Sequence, residues 1–150
     1  MIFFIKSVVV VLLCLVLIAC DDNGNSKPDI FETTLVMKDS GGKEKVLFTQ
    51  GEPITFIIHM TNLTDESQSM SFSSGQHYDI QVYDSGDSLI WNWAYDKMFT
   101  DAEEELVFSA NETKSFEEIW DQETNAELLL DTGNYIVYTD STGPYYIEIQ

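Results

Sequence analysis

Ser74-Gly75-Gln76-His77-Tyr78-Asp79-Ile80-Gln81-Val82-Tyr83-Asp84-Ser85-Gly86-Asp87-Ser88-Leu89-Ile90-Trp91-Asn92-Trp93-Ala94 is the stretch that decides the fold. Tyr78, Ile80 and Val82 recur at period two before Asp84-Ser85-Gly86-Asp87, and Leu89, Trp91 and Trp93 recur at period two after it. Two alternating runs about one polar, glycine-bearing turn predict a β-hairpin. Period-two spacing sends each trio to one face of its strand, so the pattern predicts a shared apolar face with Leu89 pointing the same way as Trp91 and Trp93.

The same rhythm extends on both sides. Alternation and turn residues predict strands near 30–38, 44–49, 54–62, 69–73, 78–83, 89–94, 106–109, 113–120, 127–130, 135–140 and 145–150. In the third of these, Ile54, Phe56, Ile58 and Met60 fall on one face, which reads as core. Ser40-Gly41-Gly42 predicts a first hairpin, and Pro53, without an amide donor, interrupts pairing before Ile54. Asp101-Ala102-Glu103-Glu104-Glu105 predicts one helical turn with acids at its start. Short strands at near-regular spacing without intervening helices imply an all-β, antiparallel β-sandwich in one domain.

Four blocks then occur in order: Ser74 to Trp93, Lys97-Met98-Phe99-Thr100, Phe116-Glu117-Glu118-Ile119-Trp120-Asp121-Gln122, and Gly133-Asn134-Tyr135-Ile136-Val137. Together they resemble the intracellular proteinase inhibitor family, often called BsuPI-like, from about Glu52 onward. The resemblance implies an immunoglobulin-like β-sandwich and, for a founding member, binding to a serine protease. Asn92-Trp93-Ala94 departs from the family pattern, which carries a basic and a hydroxylated residue around its second tryptophan.

The first residues read as an export segment rather than as part of the fold. Lys6 supplies a positive start, Val8 to Ile18 give an apolar run too short for a comfortable span, and Leu17-Ile18-Ala19-Cys20 closes it as a bacterial lipobox. The thiol of Cys20 is the expected acyl acceptor, and the small Ala19 gives the signal peptidase access to the bond after it. Asp21 to Pro28 form a polar tether. The division is therefore 1–19 signal peptide, 20–29 lipidated cysteine and tether, and 30–150 the BsuPI-like domain, held outside the cytoplasm at the cell envelope by acyl chains on Cys20. A protein exported in this way meets an extracytoplasmic protease, not a cytoplasmic one.

Without Lys6 the chain keeps six lysines and no arginine against 26 acids, a formal charge near −20. Such a field repels nucleic acid and anionic head groups and favours solubility or a basic partner. The only other cysteine, Cys14, lies in the export segment, so the domain must hold itself together without a disulfide.

Catalytic chemistry finds no purchase. The two histidines, His59 and His77, sit on an outward face and at a strand entrance, and no G-x-S-x-G, H-E-x-x-H or phosphate loop occurs. Asp84, Asp87, Asp101, Glu103, Glu104 and Glu105 lack a D-x-D-x-D-G loop and read as solvated acids rather than calcium ligands. No catalytic residue, metal or cofactor is expected. Trp91, Trp93, Trp120, Tyr78 and Tyr135 read as core, and Asp121 as a turn residue bonding to nearby backbone. Met98 and Phe99, in the acidic connection from Asp96 to Glu105, either plug one end of the sandwich or present an anchor to a partner, with Asp101 and Glu103 steering toward a basic rim. The leading reading is a lipid-anchored, non-catalytic protein-binding module, an inhibitor of an extracytoplasmic serine protease. Its rival is a structural or glycan-binding envelope lipoprotein.

The lipobox reading makes the first prediction. Cys20→Ser should abolish incorporation of labelled fatty acid and leave the protein unprocessed or released, whereas unchanged labelling with membrane retention would refute it.

Overall fold

The computed structural model describes residues 29–150, so the expected signal peptide, the expected lipobox and all of the expected tether but Asp29 lie outside the described residues. Ten strands follow in order: β1 Phe31–Lys38, β2 Leu47–Phe48, β3 Ile54–Asn62, β4 Gln68–Phe72, β5 Ile80–Asp84, β6 Leu89–Asn92, β7 Glu104–Phe108, β8 Thr113–Trp120, β9 Gly133–Thr139 and β10 Thr142–Ile149. They form a three-stranded sheet β1-β3-β8, a five-stranded sheet β2-β10-β9-β5-β6, and a ribbon β4-β7. All pairings are antiparallel except β2 with β10. The chain is thus all-β, with the two larger sheets facing each other across one apolar core.

β3 is the central strand. Ile54, Phe56, Ile58 and Met60 are almost wholly buried, as their alternation predicts. Ile57 is also buried, on the opposite face, where Val36 and Glu117 flank it from the neighbouring strands. Opposite β3 stand Ile80, Val82, Val137, Ile147 and Ile149 of the larger sheet. Phe56 joins the two layers. Its ring stacks on Trp120 of β8 at 5.8 Å and on Trp91 of β6 at 6.1 Å, and the two indoles lie 5.2 Å apart.

Two buried amides close the ends of this sheet. Gln122, with no exposed surface, donates from Nε2 to the carbonyls of Thr49 and Glu52 and accepts the Gly51 amide on Oε1. Gly51 takes φ 78° in that turn, a conformation that costs a side-chain-bearing residue and leaves glycine unstrained. At the far end of β3, Asn62 donates to the carbonyls of Glu66 and Ser109 and accepts the amide and hydroxyl of Thr64. Each amide is fully paired, so burial adds stability rather than a desolvation penalty.

Several expectations need correction. Leu89 does not share a face with Trp91: it is 49% exposed, because a bulge at Ile90 sets Tyr83 opposite Leu89 and Val82 opposite Trp91, shifting the alternation by one residue. β5 begins at Ile80 and β6 ends at Asn92, so Tyr78 and Trp93 flank the hairpin. Residues 40–42 turn the chain, but no hairpin follows beyond one bridge, Lys38 with Glu44, since β1 pairs with β3 and β2 crosses to β10. The helical turn over Asp101–Glu105 is absent. Its last acids begin β7, where alternation through Leu106 and Phe108 against β4 outweighs the dipole preference. Residues 127–130 form no strand: they fold back on Glu123 and Thr124, and only Leu130 is buried. Asp121 is exposed, and its neighbour Gln122 makes the turn-fixing bonds instead.

Trp120→Ala should cost about 3 to 5 kcal/mol in urea-induced unfolding, the usual range for an emptied aromatic site. Gln122→Ala should cost about 2 to 4 kcal/mol by orphaning three backbone groups. A loss below about 1 kcal/mol for both would refute the packing described.

Candidate functional site

The chain leaves β6 through two tight turns, Tyr95 amide to Asn92 carbonyl and Lys97 amide to Ala94 carbonyl, and returns at Thr100, whose carbonyl accepts the Gly75 amide at 3.0 Å. Along this loop and just beyond Thr100 the four proposed site residues separate. Met98 is 98% exposed. Phe99 is half-buried against Trp93 at 5.7 Å. Asp101 and Glu103 are exposed and bond to nothing among the described residues, whereas Glu104 holds His77 Nε2 at 2.8 Å and the Thr100 hydroxyl at 3.1 Å. The apolar pair is thus both plug and projection, one residue each.

Trp93 anchors the loop. Tyr78 stacks on it at 4.4 Å, Phe99 packs against it, and Lys97 Nζ lies 4.6 Å from its ring centroid. Its indole Nε1 is buried without a hydrogen-bond partner among the described residues. Tyr78 donates its hydroxyl to Glu118 Oε1 at 2.6 Å. Burial first, and then the bond to Glu118, push the Tyr78 hydroxyl well above its ordinary range, so it stays a donor throughout physiological pH.

Asp79, absent from the expected set, organises the base of this region. Buried to 7% exposure, it accepts the amides of Ile80 and Ala94 and the side-chain amides of Gln81 and Asn92. Asn92 and Ala94, the two residues flanking Trp93 that are expected to differ from the family pattern, both bond to this carboxylate and tie the end of β6 to it. Alternation hides Asp79, because it falls at the polar position beside Tyr78. Asn125 is equally unannounced. Its amide donates to the Ile90 carbonyl, while its side chain accepts the Asn92 amide at 2.9 Å and donates to the Asn92 carbonyl at 3.2 Å, the bonds a neighbouring strand would make.

A cleft of about 340 Å³ opens between the turn after β6 and the end of β8. Trp91, Trp93, Tyr95, Asp96, Lys97, Glu118, Ile119, Asp121, Glu123 and Glu127 contribute to its walls. Elsewhere, Asp84 Oδ1 accepts the amides of Gly86 and Ser88 in the hairpin turn, and His59 Nδ1 pairs with the Ser115 hydroxyl. No group of three or more metal-ligating side chains occurs among the described residues.

The family described as BsuPI, intracellular proteinase inhibitor, matches residues 43–146. The chain belongs to this family. No curated protein matches it significantly. Among solved structures, a β-glucosidase from Listeria innocua in complex with gluconolactone is 13% identical with TM-score 0.42, over 78% of this chain and 16% of that one. A mutant of the Listeria innocua enzyme in complex with laminaribiose is 13% identical with TM-score 0.43, over 79% of this chain. The chain spans 16% of the length of these enzymes.

Phe99→Ala should lower stability by about 1 to 2 kcal/mol, as expected for a half-buried ring. Met98→Ala should change it by less than about 0.5 kcal/mol. Equal losses in thermal unfolding would contradict the division of the pair.

Proposed function

We propose that this BsuPI-family chain is a non-catalytic inhibitor of an extracytoplasmic serine protease, held at the cell envelope by lipid on Cys20. The observation that carries this reading is Met98, fully projected from a loop whose neighbours are fixed. Phe99 is seated on Trp93 and Thr100 is bonded to Gly75. A segment ordered before contact avoids most of the entropy cost of binding, which a protease inhibitor must keep low. Met98 supplies a flexible, polarizable apolar chain suited to an irregular pocket. Asp96, Asp101 and Glu103, all exposed, place negative charge beside it and favour a basic rim on the protease. The family description supports a protease partner. The export segment and Cys20 support a target outside the cytoplasm, since the domain and a cytoplasmic enzyme would occupy different compartments. Trp91 packs against Phe56 and Trp120, and Trp93 against Tyr78, Phe99 and Lys97, with neither ring standing free on the surface, which favours a packing role over a platform for a sugar.

The full chain in detergent, added at micromolar concentration to extracellular subtilisin-type proteases, should slow hydrolysis of a chromogenic peptide by at least one of them. Met98→Asp should weaken that effect about tenfold without moving the melting temperature. If no protease slows, or if the Met98 variant inhibits as well as the parent, this reading fails.

A further inference from the structure

We propose that the open edge of β8, with the cleft beside it, captures an extended segment of a partner in which lysine or arginine alternates with apolar residues. The inference starts from a difference between two sheet edges. β6 ends the larger sheet, and Asn125 closes its edge by supplying strand-like bonds to Ile90 and Asn92. β8 ends the smaller sheet and pairs with β3 alone, so its other side presents unpaired amides and carbonyls along Thr113–Trp120. An unpaired edge is a template for an added strand, whose main chain supplies the affinity and whose alternate side chains supply the choice of partner.

Charge selects the occupant. Along β8 the side chains alternate between the core face and the outer face of the sheet. A strand added there would send every second side chain toward the cleft, where Glu118, Asp121, Glu123 and Glu127 stand with Lys97 as the one cation. Those positions suit basic residues. Its other side chains would lie on the outer face beside Ile119, which is 69% exposed, and those positions suit apolar ones. A second copy of this chain is disfavoured, because 26 acids against seven basic residues make two such edges repel. The site does not depend on Met98 or on the partner being a protease.

The test uses the full chain in detergent and a fluorescent peptide of alternating lysine and valine, followed by anisotropy and amide hydrogen exchange. Saturable binding at micromolar concentration is expected, with new protection of amides within Thr113–Trp120 and none within Phe31–Lys38. The same peptide N-methylated at alternate amides should bind about tenfold more weakly, because it cannot complete the ladder. Doubling Asp121→Lys with Glu127→Lys, both exposed acids of the cleft, should also weaken binding about tenfold at an unchanged melting temperature. The proposal is overturned if the lysine–valine peptide does not bind, or if the N-methylated peptide binds as well as its parent. It is equally overturned if protection appears on another edge, or if the chain dimerises through β8 instead. Loss of protease inhibition in Met98→Asp with peptide binding intact would separate this site from the inhibitory loop.

Discussion

Contact among Phe56, Trp91 and Trp120 is the constraint on which the rest of the molecule depends. Each ring comes from a different strand, and one of the three comes from the opposite sheet. With no cysteine in the described residues, nothing covalent sets the spacing between the layers. Large rings in offset contact do so instead, because their area and their preferred geometry both resist compression or sliding. Trp120 adds a directional bond, donating its indole N–H to the Glu123 carbonyl at 2.7 Å, which brings the chain after β8 back against the sandwich. That return places Gln122 under the turn before β3 and Asn125 along β6.

From this core the loop that carries Met98 inherits its order. Trp91 lies in the inter-sheet stack, and two residues later Trp93 lies in a second stack with Tyr78 and Phe99. The end of β6 and the residue after it therefore connect the packing of the interior to the position of an exposed side chain. Phe116 continues the second stack toward His77 and Phe72, reaching the β4-β7 ribbon. The acidic character of the surface is laid over this aromatic frame with little ion pairing, as four pairs among the described residues leave most carboxylates facing water.

How far the sequence could be read depended on the kind of interaction. β3 and β8 were legible to the residue, since sustained alternation of large apolar groups has one low-energy solution in a two-layer fold. The hairpin was legible as a hairpin, but the bulge at Ile90 was not: one extra residue changes which side chains face inward without changing composition. The pairing of β1 with β3 rather than with the next segment depends on contacts remote in sequence. Within the candidate site, Met98 and Phe99 could be named but not told apart, because their burial depends on where Trp93 lies. Asp79, Gln122 and Asn125 were hidden for another reason. Their short polar side chains look like ordinary turn residues until the backbone groups they satisfy are brought next to them by the fold.

Asn125 shows how little chemistry separates a closed sheet edge from an open one. Its carboxamide fits β6 because one end accepts and the other donates, matching the amide and carbonyl of Asn92. Slow hydrolysis of that carboxamide to a carboxylate, the common ageing reaction of asparagine, would exchange the donor for a second acceptor and set it against the Asn92 carbonyl. Two oxygens in repulsion would then stand where a ladder bond had been. An old molecule would have its β6 edge opened in addition to that of β8, and its state of repair would be written in a single nitrogen atom.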